Sequence, residues 1–241
     1  RITAEHGTLL ILDEVISGFR VSPGGAQAVI GIAPDLTLLA KAVAGGLPGA
    51  AVAGRSDIMD VMTHLDDPEW NRDQRVMHFG TSNANPLCAS AGIAALKVIA
   101  TGEPHRIMNE SAEKLRSGMN HAIENQGLNW LVYGQYSEFH VFPNCRDEDV
   151  SLDNIHSGDV PYEVIKNGTT HAEVFAIGAG MLLGGADLAP APGGWVSAVH
   201  SQTDIERTVE AFEATLQMWK EEQPAAAGSQ AILKKECPLG S

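Results

Sequence analysis

Two acids, one amine and a glycine–threonine turn are the residues of this sequence best suited to chemistry. ILDEVISGFR, residues 11–20, runs an apolar stretch into adjacent carboxylates, Asp13 and Glu14. DLTLLAKAVAGGLPGAAVAG, residues 35–54, sets Lys41 among small and apolar residues, and Lys41 is the only lysine of the first 96 residues. HFGTSNANP, residues 78–86, puts Gly80 and Thr81 just ahead of an Ala-rich helical segment.

An acidic pair closing a hydrophobic strand is open to a magnesium–nucleotide reading. That chemistry needs a GxxxxGK[ST] loop, whose amides and lysine cradle the phosphates. The chain has no Gly-Lys dipeptide. A solvated acidic strand end is the plain structural alternative. Lys41 has two readings as well: a lysine snorkelling from a helix end, or an amine that apolar surroundings keep neutral for Schiff-base chemistry. The glycines that follow it let another group approach the backbone. Gly80-Thr81-Ser82 can offer amides and hydroxyls to a phosphate, although the same residue types cap helices without any ligand. In combination, these features fit pyridoxal 5'-phosphate. A carboxylate keeps the pyridine nitrogen protonated, a lysine holds the aldehyde, and a turn anchors the phosphate.

The elements that must position these residues follow an α/β pattern of short apolar runs, Gly-rich turns and helical patches. Strands are expected at Thr8–Val15, Leu36–Leu39 and Ala50–Ala53, the first buried on both faces as in a parallel sheet, where ligands sit at the carboxyl ends. A short helix capped by Ser56 covers residues 56–63, a surface loop residues 64–77, and a long buried helix residues 85–100, ended by Thr101-Gly102. Glu103-Pro104 divides the chain. After it come a helix over 105–126, strand-like composition over 130–142, a weakly patterned acidic stretch over 144–158 and a helix over Tyr162–Asn167. Short strands are expected at Met181–Leu183 and Gly194–Val199. The last helix is marked by Ile205, Val209, Phe212, Leu216 and Trp219 at helical spacing, behind a capping box of Thr203 and Glu206. Residues 223–241 read as a flexible tail.

Composition narrows the partners. With a net charge of −14 and its 16 basic residues scattered, the sequence offers no patch for nucleic acid. No run of 18 apolar residues or signal peptide is visible, so neither membrane association nor export is expected. Three cysteines and no HxxxH pair argue for reduced thiols in a cytoplasmic protein and against a metal site. The chain opens on Arg1 and reaches a core strand within ten residues, so an N-terminal part is expected to be missing.

LLILDEVISGFRVSPGGAQ, GIAPDLTLLAKAVAGGLPGAAVAGR and HFGTSNANPLCASAGIAAL, in that order and spacing, closely resemble class III aminotransferases, in the branch that includes glutamate-1-semialdehyde aminomutase. GGWVSAVHSQTDIERTVEA resembles the family's C-terminal ending, while residues 130–180 match loosely. The resemblance implies an α/β fold, the C-terminal part of a fold type I pyridoxal-phosphate-dependent transferase. Residues 1–103 would be the remainder of the large cofactor domain and 104–222 a small α+β domain, usually in a homodimer with the active site at the subunit interface. It also implies that Asp13 pairs with the pyridine nitrogen, Val15 packs on the ring and Lys41 forms the Schiff base. Thr81 and the Gly80 backbone would bind the phosphate of the neighbouring subunit's cofactor. Ile16 stands where many relatives carry Gln, and the aminomutase-like members also have an apolar residue there. The implied activity is transamination between an amino acid or amine and a keto acid or aldehyde. The alternatives are the internal amino shift of the aminomutase, or a non-catalytic remnant. Family members carry about half of their fold ahead of the DEV strand, so this chain alone is expected to bind cofactor poorly and turn over nothing.

Overall fold

Leu10 is tied to the next strand before any sheet ladder begins. Its N–H donates to Asp35 Oδ2 at 2.8 Å and its carbonyl accepts from the Asp35 and Leu36 amides. The ladder therefore starts one residue later, and β1 is Ile11–Glu14 rather than the longer strand expected. It stops at Glu14 because the Val15 amide turns back to donate to Asp13 Oδ1 at 2.9 Å. The computed structural model describes residues 2–189 and 192–222, in two compact units that divide between Arg106 and Ile107. The segment 223–241, expected to be a tail, lies outside the described residues.

In the first unit, α1 (Ile2–Glu5) precedes β1, α2 (Gly25–Ile30) follows it, and β2 (Leu36–Leu39) pairs parallel to it with Asp13 opposite Leu38 and Glu14 opposite Leu39. β3 (Ala51–Gly54) pairs antiparallel to β2. α3 (Ser56–Met59) is shorter than expected, continued by a 3₁₀ turn over Asp60–Met62. Its N-cap is Arg55, not Ser56, and Arg55 forks onto Asp57 while reaching Asp35. Within the expected loop of residues 64–77, Trp70–Gln74 forms a π-helical turn. α4 spans Pro86–Ile99.

Burial in this unit departs from the sequence reading. Ala44 is the only buried hydrophobic residue among the described residues of the unit, and Ile11 is 53% exposed on the strand expected to be covered on both faces. α4 buries only Gly92 and leaves Leu87, Ile93 and Val98 exposed. The apolar sequence was a sound guide to strand and helix, but burial needs a neighbouring layer. Within this unit α4 is packed closely on one side alone.

The second unit has that layer. α5 (Glu103–Gln126) enters it from Ile107 onward, followed by the hairpin β4 (Leu131–Tyr133) and β5 (Glu138–Phe142). α6 (Leu152–Ser157), α7 (Tyr162–Asn167), α8 (His171–Leu183), β6 (Gly193–Trp195) and α9 (Gln202–Glu222) complete it, with β6 antiparallel to β5. Leu115, Met119, Ile123, Val132, Phe139, Val141, Ile177, Met181, Phe212 and Leu216 form one core between the helices and one face of the sheet. The alternation along β5 explains this: Phe139 and Val141 point inward while Glu138 and His140 face out. Half-buried Asn120 completes the edge of β4, donating to the Val132 carbonyl and accepting from its amide.

Three local readings are corrected here. Met181–Leu183 is the last turn of α8, not a strand. The helix is launched by the reciprocal Thr170–Glu173 capping box and buries Ile177 and Met181 at helical spacing. The stretch 144–158 contains α6, whose own capping box pairs Ser151 with Asn154. α9 begins earlier than Thr203 implied, so the box is formed by Ser201 and Asp204 instead. The helical spacing expected for α9 stands, with Ile205, Phe212 and Leu216 buried and Trp219 5.7 Å from Trp130.

Candidate active site

β1 and β2 are adjacent and parallel, so their carboxyl ends open on the same side of the sheet. Asp13 and Glu14 close β1, and two residues past Leu39 the second strand delivers Lys41. The Asp13 carboxylate is exposed, and its one hydrogen bond is the amide of half-buried Val15. Lys41 opens a 3₁₀ turn over Lys41–Ala44 with φ 51°, a left-handed conformation uncommon for a side chain-bearing residue and typical of functional turns. The turn is held against α4 by backbone-to-backbone contact. A Cβ on Gly45 would stand 2.6 Å from the Ala91 carbonyl oxygen, and one on Gly92 2.6 Å from that of Val43. The turn buries Ala44 and leaves Lys41 at its outer corner, exposed. The expected burial of Lys41 among apolar residues is therefore not met within this chain, because the apolar residues of its turn face α4 rather than the amine.

Glu14 behaves unlike its neighbour. It is completely buried, and every contact of its carboxylate is with a donor. Oε2 accepts from Ser17 Oγ at 2.6 Å and the Ala26 amide at 2.9 Å, and Oε1 from the Gln27 amide at 2.8 Å. Gly24, at the N-cap of α2, offers no side-chain cap. Glu14 supplies that cap from across the loop and places a negative charge at the start of the helix. The sequence signal was a glycine pair where a helix would ordinarily begin with Ser, Thr, Asp or Asn.

Burial pushes the Glu14 carboxyl up, but the Ser17 hydroxyl and the two amides outweigh it, and the group is held below the usual carboxylate range. A carboxyl with a lowered folded value stabilises the fold fully above its unfolded value of about 4.3 and loses that contribution as pH falls through the folded value. Amide exchange at Ala26 and Gln27 reports on it. Protection is expected to be constant above about pH 5 and to fall below about pH 4 in the wild type, with no such step in Glu14→Gln.

Gly80 and Thr81 lie exposed in the turn ahead of α4. Asn85 caps that helix, its Oδ1 accepting from the Leu87 and Cys88 amides, with Pro86 at the first helical position. The helix start is thus satisfied internally, and a phosphate could use only the Gly80-Thr81 turn. The structure brings Asp13, Val15 and Lys41 to adjoining strand ends. No hydrogen bond links Gly80 or Thr81 to any of them.

A cavity of about 420 Å³ opens in the second unit, lined by Phe139, Leu188, His200, Ile205 and Arg207 among others. None of Asp13, Val15, Lys41, Gly80 or Thr81 lines it, and its lining holds no lysine. Among the described residues, no group of three or more His, Cys, Asp or Glu could hold a metal ion, and no helix is long and apolar enough to cross a membrane.

Parallel strands that close on a carboxylate and lead into a left-handed lysine turn define an α/β protein, the class in which ligands commonly sit at strand ends. The profile of the family Aminotransferase class-III matches residues 1–129, and the chain belongs to that family. Glutamate-1-semialdehyde 2,1-aminomutase of Akkermansia muciniphila is 35% identical over 217 residues, covering 89% of this chain and 46% of that protein. The protein of the same name from Pyrobaculum aerophilum is 35% identical over 215 residues, 89% of this chain and 47% of its own. An omega-transaminase from Sphaerobacter thermophilus superposes with a TM-score of 0.72 at 31% identity, over 90% of this chain and 45% of that structure. A glutamate-1-semialdehyde-aminomutase from Pseudomonas aeruginosa gives a TM-score of 0.72 at 21% identity, over 90% and 46% of the two chains, and shows the fold alone. The chain spans about half the length of these relatives. The mixed α/β fold of type I transferases, expected from the sequence, is the fold that it has.

Proposed function

We propose that this chain carries the lysine side of a pyridoxal 5'-phosphate site in a transaminase, with residues 1–103 as cofactor domain and 104–222 as small domain. The carrying observation is the parallel pair β1–β2, which ends in the Asp13 carboxylate and, two residues beyond the ladder, in Lys41. The donor set fits the group, since an exposed carboxylate and an exposed amine stand at neighbouring strand ends, and among the described residues none is paired to the amine.

When bound, the cofactor's ring supplies an electron sink for charge that develops beside an amine nitrogen. Asp13 would hold the proton on the pyridine nitrogen. Lys41 Nζ would hold the aldehyde carbon covalently, and its amine is the group placed to carry a proton to and from the substrate carbon. Val15 would cover one face of the ring. The Gly80 amide and the Thr81 hydroxyl would bind the phosphate of a cofactor in a second subunit, which makes the working form a homodimer. A small amino donor and a keto acid or aldehyde acceptor are the substrates of this reading, and the cytoplasm its compartment.

A second reading, the internal amino shift of an aminomutase, is favoured by the names of the relatives and by apolar Ile16. The need for a separate acceptor decides between them. With an amino donor, a transaminase loses its visible cofactor absorbance and regains it only when a keto acid or aldehyde is added. An aminomutase isomerises glutamate-1-semialdehyde with no acceptor present. A protein that takes up pyridoxal phosphate in neither a Lys41-dependent nor a substrate-responsive way would be non-catalytic.

A further inference from the structure

We propose that Glu14 is the positioning residue of this site, setting the directions of Asp13 and Val15 through a buried carboxylate lock. The inference rests on the cofactor reading above. Asp13 is exposed, and among the described residues its carboxylate has one hydrogen-bond partner, the Val15 N–H at 2.9 Å. That N–H belongs to the peptide joining Glu14 to Val15. Whatever fixes Glu14 therefore fixes the donor that orients Asp13, and also the departure angle of Val15.

Glu14 is fixed on every side. Its backbone is laddered to β2 opposite Leu39, and its carbonyl accepts from the Gly18 amide at 2.9 Å. Its carboxylate takes the Ser17 hydroxyl and the Ala26 and Gln27 amides. Gly25, at φ 72°, passes so close that a Cβ there would lie 2.7 Å from both carboxylate oxygens. The far end of the same turn is held too. Phe19 sits at φ 60°, and its carbonyl accepts from Nε2 of buried His105 at 3.1 Å, so the ring proton is on Nε2. Residues 15–19 are thus pinned at both ends, and the exposed Asp13 sits on the fixed side of the pin.

All three donors demand an acceptor that is anionic or doubly lone-paired. A glutamine at position 14 keeps the volume but must turn its NH₂ toward Ser17 and Ala26 or toward Gln27, setting donor against donor. The lock then opens and the Val15 amide is released. Ser17→Ala removes one donor and leaves both amides in place.

The test is a titration, with pyridoxal 5'-phosphate, of the protein purified in the longest form its gene encodes, read as visible absorbance, its wavelength and the pH at which it changes. It is run on wild type, Lys41→Ala, Glu14→Gln and Ser17→Ala, with circular dichroism as the check on folding. The expected result is a Lys41-dependent band, weakened about tenfold in affinity and displaced in its pH transition in Glu14→Gln, with Ser17→Ala about threefold weaker. A purely structural role would change the folded fraction and leave the band of that fraction at its wild-type wavelength and pH transition. If Lys41→Ala removes the band while folded Glu14→Gln matches wild type, the lock is overturned and the cofactor reading stands. If Lys41→Ala keeps the band, both fall. Should Glu14→Gln not fold, Ser17→Ala decides: a weakened, displaced band supports the lock, and wild-type behaviour overturns it.

Discussion

Replacing Lys41 with alanine is expected to abolish the visible band that forms with pyridoxal 5'-phosphate, and to lower any amino-transfer rate by a factor on the order of 10² to 10⁴. In the proposed site, removing the amine would remove both the covalent hold on the aldehyde and the group that moves the substrate proton. No other lysine can substitute for it in the first unit beyond Lys97, which lies in the last turn of α4. The loss is not expected to be one of folding. Lys41 is exposed, and among the described residues its side chain has no hydrogen-bond partner that alanine would forfeit. Its left-handed φ is no easier for alanine than for lysine, so the strain of the turn is unchanged. Circular dichroism should therefore match wild type while absorbance and turnover do not. A variant that keeps the band would place the reactive amine elsewhere.

The largest stability effect is expected in the second unit. Phe212 is fully buried on α9, in the core with Leu115, Met119, Ile177 and Leu216. Phe212→Ala should cost about 3–5 kcal/mol, from lost apolar burial plus the cavity left among helices that cannot close around it. Ile11→Ala is the matched comparison. Its side chain is 53% exposed in this chain, so the same class of substitution should change stability by no more than about 0.5 kcal/mol. Urea unfolding followed by far-UV circular dichroism measures both. Equal losses would mean that Ile11 is covered by something this chain does not contain, which would contradict the exposed sheet described here.

These contrasts separate what the sequence could disclose from what it could not. Asp13 stood out because acids seldom end a run like Leu9–Leu12, and Lys41 because it is alone among small residues. Both signals are local, and the strand order needed only the parallel rule to place them together. α9 was legible from its spacing for the same reason. Burial was not legible, since an apolar strand and an apolar helix look alike whether or not a second layer covers them. Met181–Leu183 looks like a strand in the sequence because a short apolar run does not carry its own period. The partners of Glu14 were invisible for a third reason. They are backbone amides of Ala26 and Gln27, reached across a loop, and amides leave no mark in a sequence. Only the missing cap at Gly24 hinted at them. The family match fits the first unit most directly, where the three sequence blocks lie within the matched residues 1–129.

Reductive trapping bears on the central claim most directly. The protein, in the longest form its gene encodes, is incubated with pyridoxal 5'-phosphate, treated with borohydride, digested and mapped by mass spectrometry. A pyridoxyl group on the peptide that carries Lys41, at one per chain and absent from Lys41→Ala, is the result expected. Label spread over Lys97, Lys114, Lys166 and Lys220 with no preference for Lys41, or no stable label at all, would contradict the assignment of this strand end as a cofactor site.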